Sequence, residues 1–432
     1  MRHLGSILVL GSETADDRDL CVRLKVNGYE PRLVTSLEAT LASFAQEHPD
    51  LVIILADAES NPADAVRDLR TADGGATVPI CIASRSHELA ARIPAMAPDC
   101  DDYVTPPLYD AKLVAHLRPL LRLATMRAEL RLRSAAALRM GAQPAPPPPR
   151  GESVKALIVG ELGMAEAALA EVEVHRINDP GIAVDTLHGK HFDLAVLVPG
   201  EDAPTYLDLC QRIRTSPSLF NLPVAVIGHS DARIEEASYN SGASAYLDTS
   251  IGEDALGAAI KALVRRQRTR LHLSRALRGT LVEQTRGVAR AYSSAFFDEY
   301  LSERFEFAQQ FGRQLTMLRV QCEDVAGVRA RFGDVQAEDL VRALEQWIAQ
   351  LTRIEDMLAT LPGPEFMLVL PDTPRAEAAA VAARILGVIG QVEFALTEVY
   401  EGIRVHVGVY GAVLRPGESL AEFTKRARNE LI

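Results

Sequence analysis

Residues 353–370 read Arg-Ile-Glu-Asp, Met-Leu-Ala-Thr-Leu, Pro-Gly-Pro-Glu-Phe and Met-Leu-Val-Leu, in that order. The pattern predicts a charged loop, a strand, a tight turn and a second strand. Pro362 and Pro364 flank Gly363, so two backbone N–H donors are missing from the turn and its tip is stiff. The stretch therefore predicts a β-hairpin with an unusual tip, preceded by an Arg-x-x-Asp loop.

A hairpin tip of the form Gly-Gly-Asp/Glu-Glu-Phe, preceded at this spacing by Arg-x-x-Asp, resembles the GGDEF domain of diguanylate cyclases. In that family the tip binds GTP, and Arg-x-x-Asp binds cyclic di-GMP at a product-inhibition site. This chain keeps the second glycine, the glutamate and the phenylalanine as Gly363, Glu365 and Phe366. Pro362 and Pro364 replace the first glycine and the acidic residue.

The length and composition limit the class of protein. A chain of 432 residues predicts about three domains, and 48% hydrophobic with 24% charged residues is typical of globular proteins. We find no apolar run of about 20 residues and no apolar signal segment, so we expect a cytoplasmic protein without membrane insertion. The five cysteines have no metal-ligand spacing, and we expect no metal site. A net charge of −12 argues against DNA as a partner.

The first 250 residues contain one α/β pattern twice. Continuous apolar strands alternate with helical stretches, which predicts parallel sheets covered on both faces. The duplication resembles two receiver domains of response regulators in tandem. The predicted strands of the two copies are 4–10, 50–56, 78–83 and 102–104, and then 154–159, 193–198, 222–227 and 245–247.

Receivers that accept a phosphoryl group need acidic side chains at strand ends and a lysine that pairs with the phosphate. By resemblance, the acceptor positions fall on Leu55 and Val198, and the lysine positions on Pro106 and Thr249. Asp57 lies two residues beyond the first acceptor position, and we interpret it as a solvated loop residue rather than a phosphorylation site. Both receivers are therefore predicted to be degenerate docking or dimerisation platforms.

The C-terminal segment predicts helices around strands at 315–322, 357–361, 366–370 and 403–410, an α+β pattern. The predicted fold is multidomain, with two flavodoxin-like α/β receiver domains followed by an α+β GGDEF domain of ferredoxin/cyclase-like type. The predicted domains are receiver 1 at 1–125, a helical and Pro-rich linker at 126–152, receiver 2 at 153–270, and a linker helix with the GGDEF domain at 271–432.

Joining two GTP molecules requires carboxylates that hold metal ions. Counted back from Phe332-Gly333, the family's metal aspartate falls on Gln321, the next acidic position on Glu323 and the guanine-reading asparagine on Arg329. Losing several such groups should cost far more than about 4 kcal/mol of transition-state stabilisation. We therefore expect no cyclase activity, no catalytic residue and no cofactor. The predicted degenerate active site comprises Gln321, Glu323, Arg329, Pro362, Gly363, Pro364, Glu365 and Phe366.

The Arg-x-x-Asp loop is retained as Arg353 and Asp356. An arginine fork can bind a phosphate oxygen and a guanine edge, and an aspartate can accept hydrogen bonds from guanine N–H groups. By resemblance, Arg384 is the secondary arginine of the same site. We therefore predict that Arg353, Asp356 and Arg384 bind cyclic di-GMP. The alternative is a surface ion pair worth less than about 1 kcal/mol.

This combination resembles non-catalytic members of the tandem-receiver GGDEF proteins. The resemblance implies a homodimeric cyclic di-GMP receptor and scaffold that moves to a cell pole. It also implies protein partners, namely a proteolytic adaptor and a cell-cycle regulator that is delivered to the ClpXP protease. Two alternatives remain: a residual, weak diguanylate cyclase that uses Glu323 and Glu365, and an adaptor that ignores nucleotide.

Overall fold

The computed structural model divides the chain into two compact units. The C-terminal unit comprises Met1–Leu4, Thr125–Pro148 and Leu273–Ile432, and the α/β unit comprises Gly5–Ala124 and Pro149–His272. The structure describes residues 2–47, 49–57, 61–72, 75–86, 88–89, 92–93, 97, 99–143, 154–161, 163, 169, 172–363 and 365–432.

The first sheet of the α/β unit has the strand order β2-β1-β3-β4-β5, and every pairing is parallel. Its central strand is buried, with Val52 and Ile53 fully shielded from solvent. This explains why the sequence shows a continuous apolar run there instead of an alternation. The strands are β1 Ser6–Leu10, β2 Glu30–Val34, β3 Leu51–Ala56, β4 Ile80–Ser84 and β5 Asp102–Val104, and the helices are α1 Ala15–Val26, α2 Leu37–Glu47, α3 Pro62–Thr71 and α4 Asp110–Arg139.

The second sheet repeats the first in order and direction. Its strand order is β10-β9-β8-β6-β7, again with parallel pairings. Both orders are those of a flavodoxin-like sheet and are consistent with receiver domains. The strands are β6 Val154–Val159, β7 Val172–Ile177, β8 Leu194–Leu197, β9 Val224–Gly228 and β10 Ala245–Asp248, and the helices are α5 Ala183–Gly189, α6 Ala203–Thr215, α7 Ala232–Asn240 and α8 Glu253–Arg278.

The C-terminal unit has a four-stranded antiparallel sheet in the order β12-β13-β11-β14. The two strands of the predicted hairpin are confirmed as β12 and β13. The strands are β11 Leu315–Gln321, β12 Met357–Leu361, β13 Glu365–Pro371 and β14 Gly408–Val413, and the helices are α9 Ser294–Gln310, α10 Asp324–Phe332, α11 Asp334–Gln350, α12 Arg375–Ile389 and α13 Leu420–Asn429.

The two faces of β11 build two hydrophobic cores. Leu318 and Val320 pack in one core with residues of α11 and α12. Leu315 and Met317 pack in the other with residues of α9 and α13. Alternate side chains of a strand point to opposite faces, so this one strand fixes both layers.

The last strand begins later than predicted, at Gly408 instead of residue 403. Ile403 pairs with Phe394 in an isolated bridge, outside the sheet. A side chain at Gly411 would come within 2.4 Å of a Leu318 methyl group, so the close contact between β14 and β11 needs glycine there. The strand β14 therefore contains glycine at positions 408 and 411, although glycine usually weakens a strand.

Helix α4 crosses the predicted domain boundary at residue 125, and its residues from Thr125 onward belong to the C-terminal unit. The proline tract of the predicted linker, residues 146–149, lies outside the described residues. The predicted domain limits therefore remain a prediction. Among the helices that the structure describes, none is long and apolar enough to cross a lipid bilayer.

A buried carboxylate joins this part of α4 to α9. Glu129 is fully shielded from solvent. It accepts a hydrogen bond from the Tyr300 hydroxyl at 2.6 Å. It also pairs with Arg133 Nε at 3.2 Å and Arg304 Nε at 2.9 Å. A buried charge is tolerated when it is paired and hydrogen-bonded in this way.

Asp372, just after β13, is the second carboxylate of this network, and only 9% of its side chain is exposed. It accepts hydrogen bonds from Arg313 at 2.6 and 2.9 Å and from the Thr125 hydroxyl at 2.7 Å, and Arg304 lies 3.6 Å away. Burial alone would raise the pKa of Asp372, but Arg313 and Arg304 hold that pKa below its ordinary value. Arg304 therefore links the Glu129 and Asp372 carboxylates.

We expect Arg304→Met to lower the free energy of unfolding of the C-terminal unit by about 3–5 kcal/mol, because it strips a cation from two buried carboxylates. Trp347, the single tryptophan of the chain, lies in α11 and reports unfolding of this unit in urea. Arg139→Met is the matched control. It removes an exposed arginine that pairs with Glu299 and Glu303, and should cost less than about 1 kcal/mol. Equal losses in the two variants would contradict the role of the buried network.

Candidate functional site

The Arg-x-x-Asp loop lies between the end of α11 and the start of β12. Its backbone is fixed by a reciprocal pair of hydrogen bonds between its first and last residues. The N–H of Arg353 donates to Asp356 Oδ2 at 2.8 Å, and the N–H of Asp356 donates to the Arg353 carbonyl at 3.1 Å. Asp356 is 7% exposed. The Asp356 carboxylate is therefore largely shielded from solvent, whereas the alternative of a surface ion pair stays untested.

The Arg353 side chain stays partly accessible, with 34% of its surface exposed. Its Nη2 lies 3.3 Å from the Glu377 carboxylate on α12. Burial lowers the pKa of Arg353, but the carboxylates of Glu355, Asp356 and Glu377 outweigh it and raise that pKa above its ordinary value. The loop thus presents a permanent cation that solvent can reach.

Arg384 lies on α12, two helical turns after Glu377, and its Nε donates to the Leu351 carbonyl at 2.9 Å. Burial and the neighbouring Arg353 lower the pKa of Arg384, whereas Asp356 raises it. Leu351 lies two residues before Arg353, and Glu377 of the same helix contacts Arg353. The structure therefore places Arg384 beside the loop that carries Arg353 and Asp356, although the role of the three residues in binding remains a prediction.

Two guanidinium groups beside one carboxylate suit a particular ligand chemistry. Arginine forks bind phosphate and the acceptor edge of guanine, often with two hydrogen bonds. The positive charge of Arg353 disfavours the charged form of Arg384. An anion bound between the two arginines would reduce this repulsion. The site is therefore suited to a ligand that carries both phosphate and guanine.

The sequence reasoning missed two residues around this site. Glu377 lies seven positions before Arg384, a spacing that places both on one helix face and could have identified it. Arg133 of α4 donates to the Ile354 carbonyl at 3.2 Å and also to the Glu355 carbonyl. No local pattern signals this contact, because more than 200 residues separate the partners.

The hairpin tip connects β12 to β13. Gly363 has φ of +89°, a left-handed conformation that favours glycine, and Pro362 precedes it. Pro364 lies outside the described residues. Phe366 is fully buried in the core with α11 and α12, so this residue of the tip motif serves packing.

The predicted active-site residues gather near the end of β11. Gln321 pairs with Glu365 across the sheet, and Glu323 immediately precedes α10. Glu365 Oε1 lies 3.0 Å from Arg319 Nε and 3.8 Å from Arg428 Nη1. A cation at this edge would compete with both guanidinium groups for that carboxylate.

Arg329, the other predicted position, is exposed and pairs with Asp334 at 3.0 Å. Within the described ranges, no group of three or more His, Cys, Asp or Glu side chains is arranged to hold a metal ion. The residues at this edge thus offer Glu323 and Glu365 as separate carboxylates, and we derive no metal-dependent step from them.

Asp57 follows β3 in the α/β unit. Its Oδ1 lies 2.9 Å from Arg85 Nη1, and Arg85 also contacts the buried Asp17. Asp57 is therefore paired with a cation and not simply solvated. Whether it accepts a phosphoryl group stays a prediction.

Comparison with known proteins decides the nature of the C-terminal domain. Residues 288–432 match the family model described as "Diguanylate cyclase, GGDEF domain". The C-terminal domain is a GGDEF domain. The whole chain is similar to the response regulator PleD of Caulobacter vibrioides, with 25% identity over 436 residues that cover 98% of this chain and 95% of PleD.

Two further similarities are shorter. The transcriptional regulatory protein KdpE of Mycobacterium tuberculosis is 30% identical over 125 residues, covering 29% of this chain and 54% of KdpE. The GGDEF domain of DgcB from Caulobacter crescentus, a structure in complex with c-di-GMP, covers 33% of this chain and 82% of its own, at 19% identity and a TM-score of 0.32. The GGDEF domain follows a part with two parallel α/β sheets, which are consistent with receiver domains.

The expectation that the chain is not an enzyme is wrong. The match of residues 288–432 to the diguanylate cyclase model and the similarity to PleD over almost the whole chain overturn it. That expectation rested on the replacement of individual active-site residues. Glu323 keeps a carboxylate at one of these positions, between the strand β11 and the helix α10.

Proposed function

We propose that this GGDEF protein is a cyclic di-GMP receptor that binds the dinucleotide at Arg353, Asp356 and Arg384. Two observations support the proposal: the Arg353 side chain is 34% exposed, and Arg384 of α12 donates to the Leu351 carbonyl, two residues before Arg353. The arginine forks would bind a phosphate and the O6/N7 edge of a guanine. Asp356 would accept from guanine N1–H and N2–H.

Asp356 Oδ2 accepts the N–H of Arg353, and a carboxylate offers about four acceptor positions in total. The backbone bond holds the side chain in one orientation before any ligand arrives. A site that is ordered in advance loses less conformational entropy on binding.

The same proposal includes a scaffold role, by resemblance to the PopA-like group of tandem-receiver GGDEF proteins. Bound cyclic di-GMP would fix the arrangement of domains or of two copies in a homodimer, and so present a docking surface. The partners would be a proteolytic adaptor and a cell-cycle regulator that is delivered to ClpXP at a cell pole. The competing hypothesis is an adaptor whose partner binding ignores the nucleotide.

Calorimetry with cyclic di-GMP tests the receptor directly. The full chain should release heat on binding. Arg353→Ala should abolish that heat because it removes the main hydrogen-bond donor to the phosphate. Arg404→Ala is the control, since Arg404 is an exposed arginine of the same domain that pairs with Glu393. Absence of heat with the unaltered chain would favour the nucleotide-independent adaptor.

Glu377 should weaken the affinity of the site for an anion. Its carboxylate lies beside Arg353, so Glu377→Gln removes a negative charge that competes with the phosphates. We expect cyclic di-GMP to bind roughly two- to fivefold tighter, as for the loss of one partly exposed ion pair. Glu393→Gln, which removes a carboxylate from another arginine, should leave the affinity unchanged. Weaker binding by Glu377→Gln would contradict this prediction and show that the Glu377 carboxylate favours binding of the ligand.

Diguanylate cyclase activity is a second candidate function, favoured by the match of residues 288–432 to that family. Incubation of the full chain with GTP and Mg²⁺ or Mn²⁺ should then yield cyclic di-GMP, measured by chromatography. Glu365→Gln should reduce the rate, because it removes one of the two carboxylates, Glu323 and Glu365, that this hypothesis assigns to the reaction. Glu393→Gln serves again as the control. No product above a protein-free blank would exclude this second function.

A further inference from the structure

A single side chain of α4 supports the Arg-x-x-Asp loop from behind. Arg133 donates one guanidinium nitrogen to the Ile354 carbonyl at 3.2 Å and the other to the Glu355 carbonyl. These two carbonyls belong to the residues between Arg353 and Asp356. The planar fork of Arg133 therefore holds the loop backbone from α4, apart from the Arg353 and Asp356 side chains.

The position of Arg133 is itself fixed. Its side chain is 2% exposed and pairs with Glu129 at 3.2 Å. Its guanidinium also lies over the rings of Tyr292 and Tyr300, at 5.7 and 6.0 Å from their centroids. An arginine with a buried partner and two aromatic neighbours has little freedom to move.

Tyr292, which packs against Arg133, also forms hydrogen bonds with strand β12 of the hairpin. Its N–H donates to the Leu358 carbonyl at 2.8 Å, and its carbonyl accepts from Thr360 at 3.0 Å. Arg133 thus contacts the loop directly and packs on a residue that pairs with β12, the strand that begins one residue after Asp356. A shift of α4 would act on both sides of Asp356.

We propose that Arg133 is a positioning residue for the ligand site, and that cyclic di-GMP binding is energetically linked to the packing of residues 129–136 of α4 on the GGDEF domain. This inference rests on the proposed receptor function. Linkage is reciprocal: if the packed helix raises the affinity for the ligand, then the ligand must stabilise the packed helix by the same factor.

Arg133→Lys tests the positioning role with the least disturbance. Lysine keeps the charge beside Glu129 but lacks the planar fork that spans two carbonyls. We expect the affinity for cyclic di-GMP, measured by calorimetry on the full chain, to fall roughly five- to tenfold. Arg139→Lys is the matched control, since Arg139 lies on the same helix and pairs with Glu299 and Glu303. Its affinity should stay within about twofold of the unaltered chain.

Hydrogen exchange distinguishes positioning from a general loss of stability. Without ligand, the amides of residues 354–357 should exchange faster in Arg133→Lys than in Arg139→Lys, while the amides of β11 and β13 remain as protected as before. Faster exchange throughout the sheet would indicate a merely structural role and overturn the inference.

The unaltered chain supplies a readout that needs no variant. Cyclic di-GMP should slow amide exchange in residues 129–136 as well as in the loop, and unchanged exchange in that helix segment would overturn the linkage. Equal affinities of Arg133→Lys and the unaltered chain would overturn this inference and leave the receptor function standing. No binding by the unaltered chain would overturn both.

Discussion

The buried Glu129 carboxylate connects helices α4 and α9 of the C-terminal unit. It lies between Arg133 and Arg304 and accepts the Tyr300 hydroxyl. Arg304 continues to Asp372, which Arg313 also holds. Burying charges is costly unless every partner is in place, so this set of contacts requires α4 and α9 to pack in one specific way.

The candidate ligand site is connected to this buried network through Arg133. Arg133, fixed by Glu129, donates to the loop carbonyls, and the loop in turn holds Arg353 and Asp356. Arg384 and Glu377 reach the site from α12. A binding site supported in this way from ordered helices is more sharply positioned than one carried by a loop alone.

The sequence predicted well what is local in the chain. The hairpin at 357–370 and the apolar strands of both sheets follow from patterns only a few residues long, and they are present. The site at Arg353, Asp356 and Arg384 came from the spacing to the hairpin and from resemblance, and it stays a prediction. The displaced start of β14 shows where such patterns fail, because the close approach of Gly411 to Leu318 is a tertiary constraint.

Contacts between distant parts of the chain could not be predicted. Nothing near Arg133 in the sequence indicates that it meets residues 354 and 355, and nothing near Asp57 indicates its pairing with Arg85. The expectation about catalysis failed for a related reason. It judged each replaced position separately, whereas the match to the diguanylate cyclase family extends over the whole of residues 288–432.

A crystal structure of the full chain grown with cyclic di-GMP tests the central claim most directly. The account predicts the dinucleotide at the 353–356 loop, with guanidinium groups of Arg353 and Arg384 on its phosphate or guanine edge and Asp356 facing guanine N–H groups. An empty loop in crystals that hold the dinucleotide on another surface would contradict it.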